Sequence, residues 1–143
     1  MSYDLNFWKP SGKQEQEPEE IYDLLCDGQK VKGLGKMPIK QIHKLMVEAF
    51  PETEDSDPPR IPFKNGTVDV TLCANYVRFD FSGNLPKRAR EVLTALMAGL
   101  GCSMFDAEFG EWYDREELVY LANSGTSELP SAINDLLQAA TED

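Results

Sequence analysis

Polar and apolar residues alternate in three segments of the chain, and this alternation predicts β-strands. In 3–9 the alternation is regular until Trp8, which breaks it at the end. The segments 67–73 and 76–82 repeat the same period, with apolar residues at every second position. Only two residues separate the last two segments, so we expect them to form an antiparallel hairpin.

Apolar residues spaced three or four positions apart predict helices elsewhere in the chain. The first helix lies between Pro18 and Gly28, which suit its beginning and its end. The second covers 38–50, and the third, with the most regular apolar face, covers 88–100. We expect Ser127 to cap a last helix near the end of the chain.

Two segments complete the prediction, and one remains ambiguous. Residues 102–106 are typical of a short strand, whereas 116–121 fit either a strand or a helix. Residues 52–59 are acidic, contain no apolar side chain and end in two prolines, so they predict an exposed loop. The segment before this loop cannot bury both of its faces alone. We therefore expect residues 1–143 to form a single domain.

The order of these elements indicates an α+β fold. A strand, two helices, a hairpin, a helix and a further strand predict an antiparallel or mixed sheet of about four strands. The helices are expected to pack on one face of this single sheet, and the nearest named pattern is ferredoxin-like.

The charge of the chain narrows the classes of partner. The 143 residues include 25 acidic and 14 basic ones, for a formal net charge of −11. Binding to nucleic acid or to an anionic membrane surface requires basic side chains, so we expect neither partner. A basic protein is the compatible partner. Without a basic start followed by an apolar run, the chain is expected to be cytoplasmic, and to be a monomer or weak dimer.

The reactive side chains are few. Cys26, Cys73 and Cys102 are widely spaced and form no C-x-x-C pair, so we expect reduced and mostly buried thiols rather than disulfides or a zinc site. His43 is the only histidine, and its position suits a helix flank. No phosphate-binding glycine motif and no nucleophile elbow is present. We predict no cofactor, no metal site and no enzymatic activity.

Carboxylates are the one abundant chemical group. Asp106, Glu108, Glu111 and Asp114 lie within nine residues, a spacing that is compatible with oxygen ligands for a hard cation or with paired catalytic carboxylates. The calcium-loop pattern is missing, and a run of charges is usually a solvated surface. We interpret these residues as surface rather than as a site of catalysis.

Aromatic residues among these acids favour a surface for a protein partner. Aromatic area supplies burial at interfaces, while charges set orientation and association rate. A second acidic run precedes the two prolines. The predicted partner-binding residues are Asp106, Glu108, Glu111, Trp112, Tyr113, Asp114, Glu52, Glu54, Asp55 and Asp57.

Several sequence motifs resemble those of a family of small bacterial proteins. The chain begins M-S-Y-D-L-N-F-W-K, continues with I-Y-D-L-L-C-D-G at 21–28 and G-L-G-K-M-P-I at 33–39, and has C-S-M-F-D-A-E-F-G-E at 102–111. Family members often begin S-Y-D-L-x-F-W and carry C-P-L-Y-D-P-Q-x-G-E, where this chain has Ser103 and Ala107 in place of the prolines. The resemblance covers about the first 115 residues.

That family is similar to the immunity proteins of polymorphic and contact-dependent growth-inhibition toxins, and it has no catalytic motif. The resemblance implies a non-catalytic immunity protein that neutralises a cognate toxin. A basic nuclease would suit the acidic surface, because carboxylates can mimic phosphates in a basic groove. Two alternatives are a small carboxylate-dependent enzyme, which needs a cleft with convergent carboxylates, and a homo-oligomeric structural protein, which would bury Trp8 or Trp112 against its own copy.

Overall fold

A single open antiparallel sheet organises the chain, and the computed structural model describes residues 2–142. The order of the strands across the sheet is β2-β3-β4-β1-β5-β6, and every neighbouring pair is antiparallel. In chain order the strands are β1 (Ser2–Trp8), β2 (Arg60–Phe63), β3 (Gly66–Cys73), β4 (Tyr76–Gly83), β5 (Ser103–Asp106) and β6 (Glu111–Tyr113).

Five helices pack on this sheet, and they do not all lie on one face. Four of them lie on the face that carries Phe7 and Phe79, whereas the first lies on the opposite face beside Trp8 and Phe105. In chain order the helices are α1 (Pro18–Cys26), α2 (Ile39–Ala49), α3 (Lys87–Gly99), α4 (Arg115–Asn123) and α5 (Ser131–Glu142).

The predicted α+β class and antiparallel hairpin are confirmed, but the sheet has six strands rather than about four. The two additional strands are the edge strands β2 and β6, of four and three residues. Alternation cannot be recognised over so few positions, and Pro62 makes β2 resemble a loop in the sequence. The expectation of helices on one face is wrong for α1.

The larger core lies between the sheet and the four helices. Leu5 and Phe7 of β1 are fully buried there, in one cluster with Leu96 of α3 and Met46 of α2. The helix α5 packs closely on α3. Residues 92–98 of α3 are all buried, so α3 can face the sheet on one side and α5 on another.

A smaller core lies on the opposite face and explains Trp8. The alternation in β1 directs Trp8 away from Phe7, and the ring is fully buried beside Ile21 of α1. Its centroid lies 5.3 Å from that of Trp112 in a stacked arrangement. Trp8 therefore continues the strand and anchors α1 to the second face.

The ambiguous segment forms α4, because Asp114 begins it with a capping box. The Asp114 carboxylate accepts a hydrogen bond from the Glu117 backbone N–H at 2.8 Å, and the Glu117 carboxylate accepts one from the Asp114 N–H at 3.1 Å. The prediction that Ser127 caps the last helix is wrong, since α5 begins at Ser131. The Ser127 N–H instead donates to Glu91 at 2.7 Å.

The expectation of mostly buried thiols is also wrong. Cys26 and Cys73 are exposed, and only Cys102 is buried. Burial raises the pKa of Cys102 to about 12, so this thiol stays protonated at neutral pH. Among residues 2–142, no helix is both long and apolar enough to cross a bilayer.

Candidate functional site

The two acidic segments predicted to bind a partner lie at opposite edges of the sheet. Residues 52–59 lead into β2 at one edge, and residues 107–110 connect β5 to β6 at the other. Five interstrand spacings of about 4.8 Å separate these edges by roughly 24 Å. The structure therefore does not bring the two predicted sets together into one surface.

Asp106 is buried and belongs to the fold rather than to an accessible surface. Its side chain is 3% exposed, and one carboxylate oxygen lies 3.7 Å from an Arg90 guanidinium nitrogen of α3. The other oxygen accepts a hydrogen bond from the Glu108 backbone N–H at 3.1 Å, which fixes the turn after β5. A protein partner has no access to this carboxylate.

The neighbouring aromatic residues also have roles in the fold. Trp112 is half-buried by its stacking on Trp8, and Tyr113 donates a hydrogen bond of 2.5 Å to the Glu111 carboxylate. That hydrogen bond raises the pKa of Tyr113. Phe109 is 68% exposed at the tip of the hairpin, and the sequence-based site did not include it.

The other acidic segment borders a groove of about 670 Å³ on the second face of the sheet. The polar positions of β2, β3 and β4 form its base, and the loop 54–58 forms its wall. Because α1 packs at the β5 side of this face, the β2–β3 side remains open. The groove is lined by Glu54, Asp55, Ser56, Asp57, Pro58, Arg60, Asp69, Thr71 and Asp80. We call it the acidic groove.

Hydrogen bonds at its two ends hold the loop beside the sheet. The Glu54 N–H donates to the Arg60 carbonyl at 2.7 Å, and the Arg60 N–H donates to the Glu54 carbonyl at 3.1 Å. The Thr53 hydroxyl donates to the Phe50 carbonyl at 2.6 Å, so the loop also caps the end of α2. The wall of the acidic groove is thus positioned by backbone contacts rather than by buried side chains.

Two arginines compensate the carboxylates at the base. Arg60 Nε lies 2.7 Å from Asp69 Oδ1, and this hydrogen bond raises the pKa of Arg60. Arg78 lies 3.0 Å from Asp80 and 3.8 Å from Asp4. Both carboxylates at the base are therefore paired, and the excess negative charge comes from the loop.

The carboxylates of the loop remain accessible. Within residues 2–142, Glu54 and Asp57 take part in no ion pair, and Asp55 lies 3.7 Å from His43 Nε2 only. The same described residues contain no group of three metal-ligating side chains. Three accessible carboxylates beside paired ones can attract lysine and arginine side chains.

Sequence reasoning identified the wall of the acidic groove but missed its base. Glu54, Asp55 and Asp57 were predicted, and Glu52 is exposed outside the lining of the groove. Asp69 and Asp80 face each other across β3 and β4, as the predicted hairpin register requires. The alternation of polar and apolar residues in β3 and β4 indicated where Asp69 and Asp80 lie. It did not indicate that the loop lies above these strands.

Comparisons of the chain with protein families, with curated proteins and with solved structures found no match. The assignment of a function therefore depends on the charges, burial and contacts of the acidic groove.

Proposed function

We propose that this protein is a non-catalytic immunity protein that neutralises a basic bacterial toxin by binding it at the acidic groove. The observation that supports this proposal is the set of three accessible carboxylates, Glu54, Asp55 and Asp57, held beside an open sheet face. The resemblance of the sequence to small bacterial proteins similar to immunity proteins points to the same class.

The chemistry of the partner follows from the charge. Carboxylates spaced along a groove present acceptors where a nucleic acid presents phosphates, so the cognate toxin is a nuclease with a basic groove. Opposite charges accelerate the encounter of the two proteins. Because a basic side chain of the toxin would pair with each carboxylate, binding would not leave a buried charge unpaired.

We restrict the proposed interface to the acidic groove because of the burial and position of the other predicted residues. Asp106 is inaccessible, and Trp112, Tyr113 and Asp114 contribute to the fold. Glu108 and Glu111 are exposed, but they lie at the opposite edge of the sheet. They provide a control patch of the same sign and similar exposure.

The test is a charge reversal at the acidic groove. The binding partner to be tested is the product of the neighbouring gene, and the measurement is its association rate with this protein at low and high salt. The variant Glu54→Lys/Asp55→Lys/Asp57→Lys is expected to associate at least about tenfold more slowly at low salt, with weaker salt dependence. The control Glu108→Lys/Glu111→Lys/Glu116→Lys is expected to behave like the native protein.

Three results would count against the proposal. Unchanged association of the groove variant, at an unchanged melting temperature, would exclude the acidic groove as the contact surface. A neighbouring gene product that forms no complex, or turnover of nucleic acid by this protein itself, would exclude the immunity function and favour an enzyme.

We also propose that the inner strands follow the ferredoxin-like pattern. Their spatial order, β3-β4-β1-β5, and the helix α3 between β4 and β5 support this proposal. We further propose a cytoplasmic location and a monomeric or weakly dimeric state. An experimental structure in which the connection from β1 to β3 is left-handed would reject the fold assignment.

A further inference from the structure

A second cavity, of about 440 Å³, lies on the helical face of the sheet and is separate from the acidic groove. The aromatic rings of Tyr3 and Phe81 line it from the sheet, stacked with centroids 4.8 Å apart. Leu121 of α4 and Leu85 contribute apolar walls. Ligand sites of proteins are typically cavities of this size and lining. We call it the α3–α4 pocket.

Two basic side chains and one acidic side chain line this pocket, although the protein as a whole is strongly negative. Lys87 and Arg90 of α3 both line it, and the Arg90 guanidinium lies 5.5 Å from the centre of the Tyr3 ring. The third charged residue of the lining, Glu91, accepts hydrogen bonds from the backbone N–H groups of 126 and 127. Its carboxylate thus contacts both that segment and Lys87 Nζ, which lies 3.4 Å away.

The two cations retain donors for a ligand. Lys87 Nζ contacts the Thr126 hydroxyl at 2.5 Å and Glu91 at 3.4 Å, and an ammonium group has three donors. Arg90 has five donors and lies no closer than 3.7 Å to the Asp106 carboxylate. A carboxylate at the pocket can therefore be bound by both side chains.

A buried hydroxyl without a partner lies in the wall of the same pocket. Thr94 is 5% exposed, and its Oγ1 makes no hydrogen bond within the described residues. A buried polar group that lacks a partner costs about 1–3 kcal/mol. Thr94 follows Lys87 by seven residues on α3, which is about 10 Å along the helix axis.

We propose that the α3–α4 pocket binds a flat aromatic monocarboxylate about two rings long, with a polar group at the end far from its carboxylate. The carboxylate lies at Lys87 and Arg90, the rings lie against Phe81 and Leu121, and the far polar group meets the Thr94 hydroxyl. The rise of about 10 Å along α3 from Lys87 to Thr94 is comparable to the length of a two-ring acid.

The probe for this proposal is 6-hydroxy-2-naphthoate, titrated into the full chain and followed by calorimetry and by amide NMR shifts. Two matched compounds each lack one group: 2-naphthol lacks the carboxylate, and 2-naphthoate lacks the hydroxyl. We expect saturable binding of the probe with shifts at α3 and α4. We expect about tenfold weaker binding of 2-naphthol, as a charge-assisted hydrogen bond is lost, and a smaller loss for 2-naphthoate.

Two variants and a control locate the site. Lys87→Gln is expected to weaken binding of the probe about tenfold without lowering the affinity for 2-naphthol. Thr94→Val is expected to weaken the probe but to leave the melting temperature unchanged or higher, because it removes an unpartnered hydroxyl. Arg88→Gln removes a cation from the same helix, and this side chain lies over Phe50 rather than at the pocket, so its affinity should match that of the native chain.

The proposal is overturned by any of three results. These are the absence of saturable binding at millimolar probe, equal affinity for the probe and 2-naphthol, and an equal effect of Arg88→Gln and Lys87→Gln. None of these results bears on the acidic groove, which lies on the other face of the sheet.

Discussion

Glu91 connects α3 to the segment between α4 and α5. Its carboxylate accepts hydrogen bonds from the Thr126 and Ser127 backbone N–H groups at 2.7–3.2 Å. Hydrogen bonding by Ser127 is the largest cause that lowers the pKa of Glu91, from an ordinary 4.5 to about 2, and partial burial opposes it. The folded protein thus favours the ionised form more strongly than the unfolded chain does.

Because the pKa of Glu91 is lowered, the direction in which the stability of the protein changes with pH can be predicted. The contribution of Glu91 is fully present above pH 4.5 and is lost as the pH falls toward 2. Glu91→Gln is therefore expected to lower the free energy of unfolding by about 1–3 kcal/mol at neutral pH, with the difference shrinking between pH 4.5 and 2. Urea unfolding of both proteins measures this, and Glu116→Gln on exposed α4 is the control. A constant difference across that range would contradict the assignment.

Single-residue roles were the hardest to predict from the sequence. Asp106 and Glu108 are both acids in a short polar stretch, yet one is buried against Arg90 and the other is exposed. The difference arises because β5 pairs Asp106 with Leu5 and so directs it toward the helices. The sequence around Asp106 does not indicate its burial, because the burial depends on pairing with a strand about a hundred residues earlier.

At the level of elements, the contact between α3 and α5 depends on Gly99. A Cβ atom placed there would lie 2.9 Å from the Leu136 Cβ and 3.1 Å from the Leu137 backbone nitrogen. Gly99→Ala gains at most about 1 kcal/mol of helix propensity, whereas overpacking costs about 1–3 kcal/mol. Some of the contacted atoms belong to the backbone of α5, which cannot move aside as a flexible side chain can. We therefore expect the cost of overpacking to exceed the gain in helix propensity.

Gly99→Ala is therefore expected to lower the free energy of unfolding and to separate α5 from α3. Amide hydrogen exchange should become faster in α5, while α2, which does not contact α5 in this way, serves as an internal reference. Unchanged stability and unchanged exchange in α5 would show that the two helices can shift apart at no cost.

The elements themselves were largely predictable. Long periodic segments such as α3 and the β3–β4 hairpin were placed within one or two residues, because their apolar faces are complete. The edge strands were missed because three or four residues show no period. The wall of the acidic groove was predicted as an exposed loop, but its base required the six-stranded order of the sheet.

For the whole molecule, the net charge of −11 and the acidic groove imply repulsion in the folded state. Salt screens accessible charges, so we expect the melting temperature to rise between low and moderate NaCl concentration. A relief of about 1 kcal/mol corresponds to roughly 2–4 °C for a chain of this size. The variant Glu54→Gln/Asp55→Asn/Asp57→Asn should show a smaller rise. A larger or equal rise in that variant would place the repulsion elsewhere.

The way in which the loop 52–59 is attached affects how this part of the surface can evolve. None of these residues is buried, and the loop is held through backbone hydrogen bonds at its ends. Mutations within it leave the core unchanged, so selection can alter the shape and charge of the groove wall codon by codon. Descendants of one ancestral gene can thereby diverge in the surface that the groove presents, while the sheet beneath it stays constrained by packing.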